Sequence, residues 1–473
     1  MGSVVPKPKS QPKTIADFPG LQEMVPAMRK EEARVESSRC LTCFDAPCVT
    51  ACPTHIDIPR FIRQINSADP IGSAVTILEA NPLGHSCARV CPVEALCEGS
   101  CVYMGWHEKP IQIGRLQRYA TDVLHGERIQ PFTPGKDAGK KAAVIGAGPS
   151  GLSCAAYLRR LGVAVTVFEA KPMPGGLNTY GIAEYKLSKP QSLEETELVL
   201  DLGADVRFGV RIGKDIQFDK IVREFDAVFL GVGLGAGQAL GVPGEHLPGV
   251  YEALPFIERI KAHDFSAIPT GSTTVCIGAG NTAVDVVTQA KRLGTPKVVM
   301  AYRRGPEDMP AYEYEYDLAK GDAVEFLWHV VPVQVLGTKA VTGIRFARVT
   351  EKGGKLVPVP KSEFDVPCDR IVKAIGQKAQ GDTLRALSGL DLDPKGRVVV
   401  DAKTLATSNK KVWAGGDAIN GGKEVVNAAA DGKRAALSIY KAVTGRQPVP
   451  EHGYWISTIE GRGKGGAAKA LSY

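Results

Sequence analysis

The sequence predicts an α+β multidomain chain: a helical, cysteine-rich N-terminal domain, then two doubly wound α/β domains, the second inserted in the first. Three observations carry this. Eight of the eleven cysteines lie between Cys40 and Cys101. A GxGxxG turn follows the apolar strand AAVI, and a GxGxxA turn follows STTVCI about 130 residues on. Near residue 370 the chain runs through DRIVKAIGQ and KKVWAGGDAINGG, which reads as a return to the first α/β domain. A chain of 473 residues can bury cores for two or three domains.

The cysteines form two blocks. Cys40, Cys43, Cys48 and Cys52 lie in RCLTCFDAPCVTACP; Cys87, Cys91, Cys97 and Cys101 lie in SCARVCPVEALCEGSC. One block alone suits a zinc knuckle. Two blocks, each with a Cys-Pro (Cys52-Pro53 and Cys91-Pro92), point to two iron–sulfur clusters with crossed ligation. Between the blocks, IPRFIRQINSADPIGSAVTILEANP has helical spacing, with Ile58, Phe61, Ile62 and Ile65 on one side. Such a face covers a cluster and keeps water away.

The first α/β unit is Rossmann-like. Gly146 permits the tight turn, Gly148 the approach of a pyrophosphate, and Gly151 close helix–sheet packing, with Pro149 and Ser150 opening the helix. Glu169 ends the next strand, where an acid accepts hydrogen bonds from ribose hydroxyls. Gly176 and Leu177, in GGLNTYGI, let the chain pass a flavin ring; Gly416 and Asp417, in VWAGGDA, suit the ribityl or pyrophosphate region of FAD, with a plain helix cap as the alternative. In the second unit Gly278, Gly280 and Ala283 form the turn, and Asn281 and Thr282 open the helix, followed by Asp285. Arg303 and Arg304 stand after the next strand, where the first unit has its acid. Positive charge there pairs with a ribose 2′-phosphate, which favours NADPH without excluding NADH. Cys154 and Cys276 read as core residues; Cys368 has no CxxC partner.

These signals divide the chain into a helical cluster domain (1–135), an FAD domain (136–265 and 368–450), an NAD(P) domain (266–367) and a tail (451–473). Residues 1 to about 35 read as an extended arm followed by a helix, with Lys and Pro dominating the first 13. The tail reads as unstructured, with docking as the alternative. A net charge of +7 without a long Lys/Arg run disfavours nucleic acid. No stretch reaches 18 apolar residues, so no membrane span is expected. Pro6 replaces the Ser/Thr that lipidation at Gly2 needs. Clustered thiols without a signal peptide fit a reducing cytoplasm.

RCLTCFDAPCVTACPTHIDIPRFI, NPLGHSCARVCP, PIQIGRLQRYA and YRRGPEDMPA resemble the electron-input half of dihydropyrimidine dehydrogenase, and more closely its separate bacterial NAD(P)H-oxidising subunit. The small subunit of glutamate synthase belongs to the same wider flavoprotein family. The resemblance implies one [4Fe–4S] cluster on Cys40, Cys43, Cys48 and Cys101, and a second on Cys52, Cys91, Cys97 and Gln117. Gln117, in IGRLQ, matches the family's glutamine ligand, and Cys87 is then no ligand; the simpler alternative uses all eight cysteines. It further implies one FAD, NAD(P)H as donor, and an FMN-containing partner in a hetero-oligomer that reduces uracil or thymine. The alternatives are glutamate synthase and an NAD(P)H:ferredoxin-type oxidoreductase.

Overall fold

The computed structural model describes residues 14–263, 265, 271–385, 387, 389–448 and 457–458. Residues 1–13 of the expected arm lie outside them, as does the tail 451–473 apart from Ser457–Thr458, which pairs antiparallel with Ile129–Gln130.

In chain order, the cysteine region is built on α1 (Lys30–Ser38), α2 (Ile58–Asn66), α3 (Pro70–Ala80), α4 (Gly84–Val90) and α5 (Ile113–Gly126). The stretch read as helical between the blocks is two helices. Ala68 takes a left-handed conformation, φ 63°, and Asp69 starts α3 by accepting the Gly72 N–H at 2.8 Å. Asp57 caps α2 in the same way through the Arg60 N–H, at 3.1 Å. The expected face of α2 is buried: Ile58, Phe61, Ile62 and Ile65 are each at most 2% exposed.

The first α/β unit opens with β1 (Lys141–Ile145), α6 (Pro149–Arg160), β2 (Ala164–Glu169), α7 (Lys189–Leu200), β3 (Asp205–Phe208) and β4 (Ala227–Leu230). The inserted unit follows with β5 (Val250–Glu252), α8 (Ala253–Lys261), β6 (Thr273–Ile277), α9 (Asn281–Arg292), β7 (Lys297–Ala301), α10 (Glu313–Gly321) and β8 (Glu325–Leu327). A four-stranded antiparallel sheet comes next, of β9 (Val330–Leu336), β10 (Gly343–Lys352), β11 (Lys355–Pro358) and β12 (Phe364–Pro367). Then come β13 (Arg370–Lys373), β14 (Val412–Ala414) and α11 (Val425–Thr444).

Each α/β unit has a five-stranded parallel sheet. Its order is β14-β4-β1-β2-β3 in the first and β5-β13-β6-β7-β8 in the second. In both, the strand leading into the glycine turn lies inside the sheet, so helices must cover both faces.

The compact units differ from the boundaries read in the sequence. One comprises residues 1–24, 180–188 and 237–376; the other comprises 25–179, 189–236 and 377–473. The inserted unit is thus wider than 266–367. β5 pairs with β13, and β13 with β6, so both of these strands belong to the inserted sheet. Phe18 and Leu21, expected with the cysteines, are in its core beside Val286 and Ala290.

The cysteine region and the FAD-type region form one unit rather than two. Leu198 of α7 and Val426 of α11 share the core of Phe61, Ile77 and Leu116. Tyr157 of α6 donates to the Glu79 carbonyl at 2.6 Å. Glu195, on α7 and 1% exposed, accepts the His85 and Ser86 N–H groups at the start of α4, at 2.8 and 2.9 Å, together with the Ser86 hydroxyl.

Burial pushes the Glu195 carboxyl up to about 7 from 4.5. Between those values the folded chain holds a proton that the unfolded chain has lost. Stability from this group therefore falls as the pH rises through that window. Glu195→Gln is expected to flatten the slope in denaturant titrations at the two ends of the window. An unaltered slope would contradict the assignment.

Candidate electron-transfer centre

The first glycine turn joins β1 to α6. Gly146 has φ 101°, and a Cβ there would lie 2.4 Å from the Gly231 carbonyl oxygen; one at Gly151 would lie 1.9 Å from that of Gly146. The fold itself requires both glycines. Gly148 differs. Its φ is −80°, ordinary for any residue, and a Cβ would meet only the Gly176 Cα, at 3.8 Å. The open space is on the side a pyrophosphate would approach, in front of the α6 N-terminus that Pro149 and Ser150 begin. The cradle fits a dinucleotide.

Three further segments meet this turn. Glu169 accepts the Ala147 N–H at 2.8 Å and the Lys171 N–H at 2.7 Å. Both oxygens hold backbone, and each keeps a second lone pair for a ribose hydroxyl. Gly175 donates to the Ala147 carbonyl at 2.7 Å, and Gly176 lies against Gly148 with φ 56°. The Leu177 side chain is 39% exposed. Gly416 has φ 67°, and its Cβ position is 2.8 Å from the Ser150 hydroxyl. Asp417 accepts the Lys423 N–H at 3.2 Å, and burial raises its carboxyl. Sequence reading missed Asp431, which fixes this turn by accepting the Gly416 N–H at 3.0 Å and the Arg434 guanidinium at 2.7 Å. Its place two turns into a helix carries no local signal.

The second turn, between β6 and α9, repeats the pattern. A Cβ at Gly278 would lie 2.2 Å from the Ala374 carbonyl oxygen, whereas Gly280, with φ −84°, has nothing within 4 Å of its Cβ position. Asn281 accepts the Tyr312 N–H at 3.3 Å; Thr282 follows it in the first turn of α9, and Ala283 is fully buried. Arg303 is exposed and Arg304 half-buried, just beyond β7, and neither forms an ion pair with a described residue. Both guanidiniums remain available to a phosphate.

Asp285 is committed elsewhere. It pairs with Lys186 at 2.6 Å and accepts the Tyr185 hydroxyl at 3.3 Å; Lys186 also pairs with Glu315 at 2.5 Å. Burial disfavours the Lys186 ammonium, yet the two carboxylates hold its pKa well above the usual lysine value. The sequence gives no sign that residues 184–187 belong to this unit.

The cysteines line two cavities. Cys40, Cys43, Cys48 and Cys101 line one, whose walls include Ile58, Ile62, Ile111 and Ile113. Cys52, Cys87, Cys91, Cys97 and Gln117 line the other, walled by Ile56, Ile58, Leu96 and Val426. Cys101 thus leaves its own block and joins the first, while Cys52 joins the second. Tyr103 assists by donating to the Arg39 carbonyl at 2.8 Å, beside Cys40.

Among the described residues no group of three or more His, Cys, Asp or Glu converges as a single metal ion would need. The thiols stand instead in two groups, each lining an apolar-walled cavity. Soft sulfur donors in apolar walls fit iron–sulfur clusters. Burial pushes the Cys48 thiol up to about 12 and raises Cys40 and Cys97; at Cys91 the hydrogen bond with Cys87 raises it first and burial second. Iron must therefore displace protons on binding.

The second cavity offers five donors for four corners. Gln117, 7% exposed, donates its amide nitrogen to the Gly84 carbonyl at 2.7 Å, which leaves its oxygen as the potential ligand atom. Cys87 accepts from Asn81 at 3.2 Å. The other three cysteines, Cys154, Cys276 and Cys368, lie in separate hydrophobic cores, each at most 5% exposed.

Known proteins place this geometry in a class. Residues 140–432 match the family of pyridine nucleotide-disulphide oxidoreductases, and residues 18–129 match dihydropyrimidine dehydrogenase domain II, 4Fe-4S cluster. The chain belongs to the pyridine nucleotide-disulphide oxidoreductase family. Within it, the chain falls among the flavoprotein subunits that carry an added iron–sulfur domain. It is 35% identical over 431 residues to the glutamate synthase [NADPH] small chain of Escherichia coli K12, covering 86% of this chain and 91% of that one. It is 34% identical over 422 residues to the NAD-dependent dihydropyrimidine dehydrogenase subunit PreT of Salmonella typhimurium, covering 89% and 96%. Mycobacterium tuberculosis FprA in complex with NADPH shares the fold, with a TM-score of 0.53 at 20% identity over 65% of this chain and 85% of that one. The protein is an NAD(P)H-dependent flavin and iron–sulfur oxidoreductase. No described helix is long and apolar enough to cross a membrane.

Because the fold leaves room at Gly148 and Gly280, Gly148→Ala is expected to lower FAD affinity and Gly280→Ala NAD(P)H affinity. Each loss should be about tenfold or more, ~1.4 kcal/mol, with folding intact. Flavin content and KM of the purified variants check this; full affinity in both would show that nothing approaches these backbones.

Proposed function

We propose that this chain is the electron-input subunit of a dihydropyrimidine dehydrogenase, drawing electrons from NAD(P)H and delivering them to an FMN-containing partner that reduces uracil or thymine. The observation that carries the reading is the second cavity, where the amide of Gln117 stands with Cys52, Cys91 and Cys97. An amide oxygen carries less charge than a thiolate and gives that cluster a potential of its own. The match of residues 18–129 supports the same branch.

In this reading Cys40, Cys43, Cys48 and Cys101 hold one [4Fe–4S] cluster; Cys52, Cys91, Cys97 and Gln117 hold a second, with Cys87 beside it. Bound FAD supplies hydride acceptance at N5 from C4 of the nicotinamide, and the clusters supply one-electron carriage. The chain itself binds, orients and excludes water. Gly146, Gly148, Gly151 and the α6 N-terminus receive the FAD pyrophosphate, Glu169 its ribose, and Gly176, Leu177, Gly416 and Asp417 the flavin-side half. Gly278, Gly280, Asn281, Thr282 and Ala283 receive NAD(P)H, and Arg303 and Arg304 the 2′-phosphate. No side chain need donate or accept a proton for hydride transfer.

Electrons leave past the first cavity. Leu41 and Tyr103 line it, and Phe44, Met104 and Trp106, sequence neighbours of these residues and of Cys43, have exposed side chains, Phe44 fully so. The second cavity lies deeper, with Val426 of α11 in its wall.

The competing reading is the small chain of glutamate synthase, favoured by 35% identity over 91% of that relative. Anaerobic turnover by the natively captured complex separates the two. With NADH or NADPH, dihydrouracil formed from uracil supports the proposal. Glutamate formed from glutamine and 2-oxoglutarate, without dihydrouracil, assigns the chain to the other branch.

Two substitutions test the roles. Cys48→Ala is expected to leave stopped-flow reduction of FAD within about twofold of the parent while reducing partner turnover at least tenfold, about 1.4 kcal/mol in barrier. Intact turnover in a folded, FAD-loaded variant would refute the assignment. Replacing Arg303 and Arg304 together by Ala is expected to raise KM for NADPH more than for NADH, and an unchanged preference would remove them from the phosphate site.

A further inference from the structure

Lys433 stands where the FAD-type helix α11 reaches the cysteine region. It follows Val426, which lines the second cavity, by two helical turns, so both side chains leave the same face. Its ammonium donates to the Thr54 carbonyl at 3.3 Å and to the Ala80 carbonyl at 3.2 Å, and lies 5.5 Å from the Tyr157 ring centroid.

Each carbonyl adjoins the lining of the second cavity: Thr54 follows Pro53 and Ala80 precedes Asn81, both of which line it. The Thr54 hydroxyl is 3.3 Å from the Cys52 sulfur, and Asn81, next to Ala80, donates to Cys87 at 3.2 Å. Thr54 and Asn81 are at most 2% exposed.

Lys433 has no ion pair with a described carboxylate, and burial lowers its pKa. Arg160 also opposes its charge, whereas Cys52 and then Glu79 favour it. Lys433 is half-buried, and a cation partly withdrawn from water without a carboxylate partner is costly unless another anion offsets it. Thiolates bound to iron at this cavity would be such an anion.

We propose that Lys433 is the positioning residue and counter-cation of the cluster held at Cys52, Cys91 and Cys97. It holds the backbone behind the walls through the Thr54 and Ala80 carbonyls and favours the reduced, more negative form of that cluster. The inference rests on the reading that this cavity holds a second cluster.

The test is an EPR-monitored redox titration of the full, FAD-loaded chain. The signal of the second cluster is assigned in Cys43→Ser, which removes a thiol from the first cavity. In Lys433→Met the reduction equilibrium of the second cluster should become about tenfold less favourable, a midpoint lower by about 59 mV for one electron. The first cluster should not move, and Lys433→Arg should keep the parent midpoint.

Equal midpoints in Lys433→Met and the parent, with iron content intact, would overturn the proposal. Should Lys433→Met lose iron from this cavity, retention in Lys433→Arg supports the counter-cation, and loss in both overturns it. A parent chain with only one cluster by iron analysis and EPR would instead defeat the two-cluster reading on which the inference stands.

Discussion

The cysteine region depends on one folding constraint: the second cysteine block must lie back across the first. Only then does Cys101 reach Cys40, Cys43 and Cys48, and Cys52 the thiols of the other block. The crossing is held by ordinary contacts. Tyr103 bonds the Arg39 carbonyl, the Glu36 carboxylate accepts the Gln112 N–H at 2.9 Å, and isoleucines of α2 and α5 wall the first cavity. A region with few strands, built of short helices, thereby gains one core. The thiols of each cavity come from both ends of the segment, so iron bound there would couple metal binding to closure of the fold.

That core does not stop at the cysteine region. α7 supplies Leu198 and the buried Glu195, α6 supplies Tyr157, and α11 supplies Val426. These same helices carry or flank the parts that cradle the flavin-type nucleotide. The spacing between the first nucleotide turn and the cysteine cavities is thus set by a packed interior rather than by a linker. A fixed path suits electron transfer, which needs no moving arm when both places belong to one body.

Much of this was legible in the sequence. GxGxxG after an apolar strand and before a helix has few other uses, and the structure puts Gly146, Gly148, Gly151 and Glu169 around one turn. The cysteine blocks announced iron–sulfur chemistry, because eight thiols at short spacing ahead of two nucleotide turns have few other uses. Which thiols stand together is a matter of tertiary closure, and the family resemblance rather than spacing pointed to Gln117. The boundaries were harder. β5 and β13 are strands of three and four residues that join the inserted sheet only by parallel pairing. Phe18 and Leu21 look like any apolar residues near a terminus. Asp431, Tyr185 and Lys186 act through partners distant in sequence, and no local pattern reveals such pairs.

The inserted unit takes residues 14–24 from the start of the chain and closes its sheet with Arg370–Lys373. A ribosome must therefore add about 270 residues before Phe18 and Leu21 can meet Val286 and Ala290. At ordinary elongation rates that is roughly 15–55 s. During that wait the nascent terminus presents two apolar side chains with no core to enter. The cysteine region draws on α7 and α11 and pairs Ile129–Gln130 with Ser457–Thr458, and the nucleotide unit cannot be lifted out as one continuous cassette. Anyone trimming this protein to a minimal electron carrier would have to cut in three places, not one.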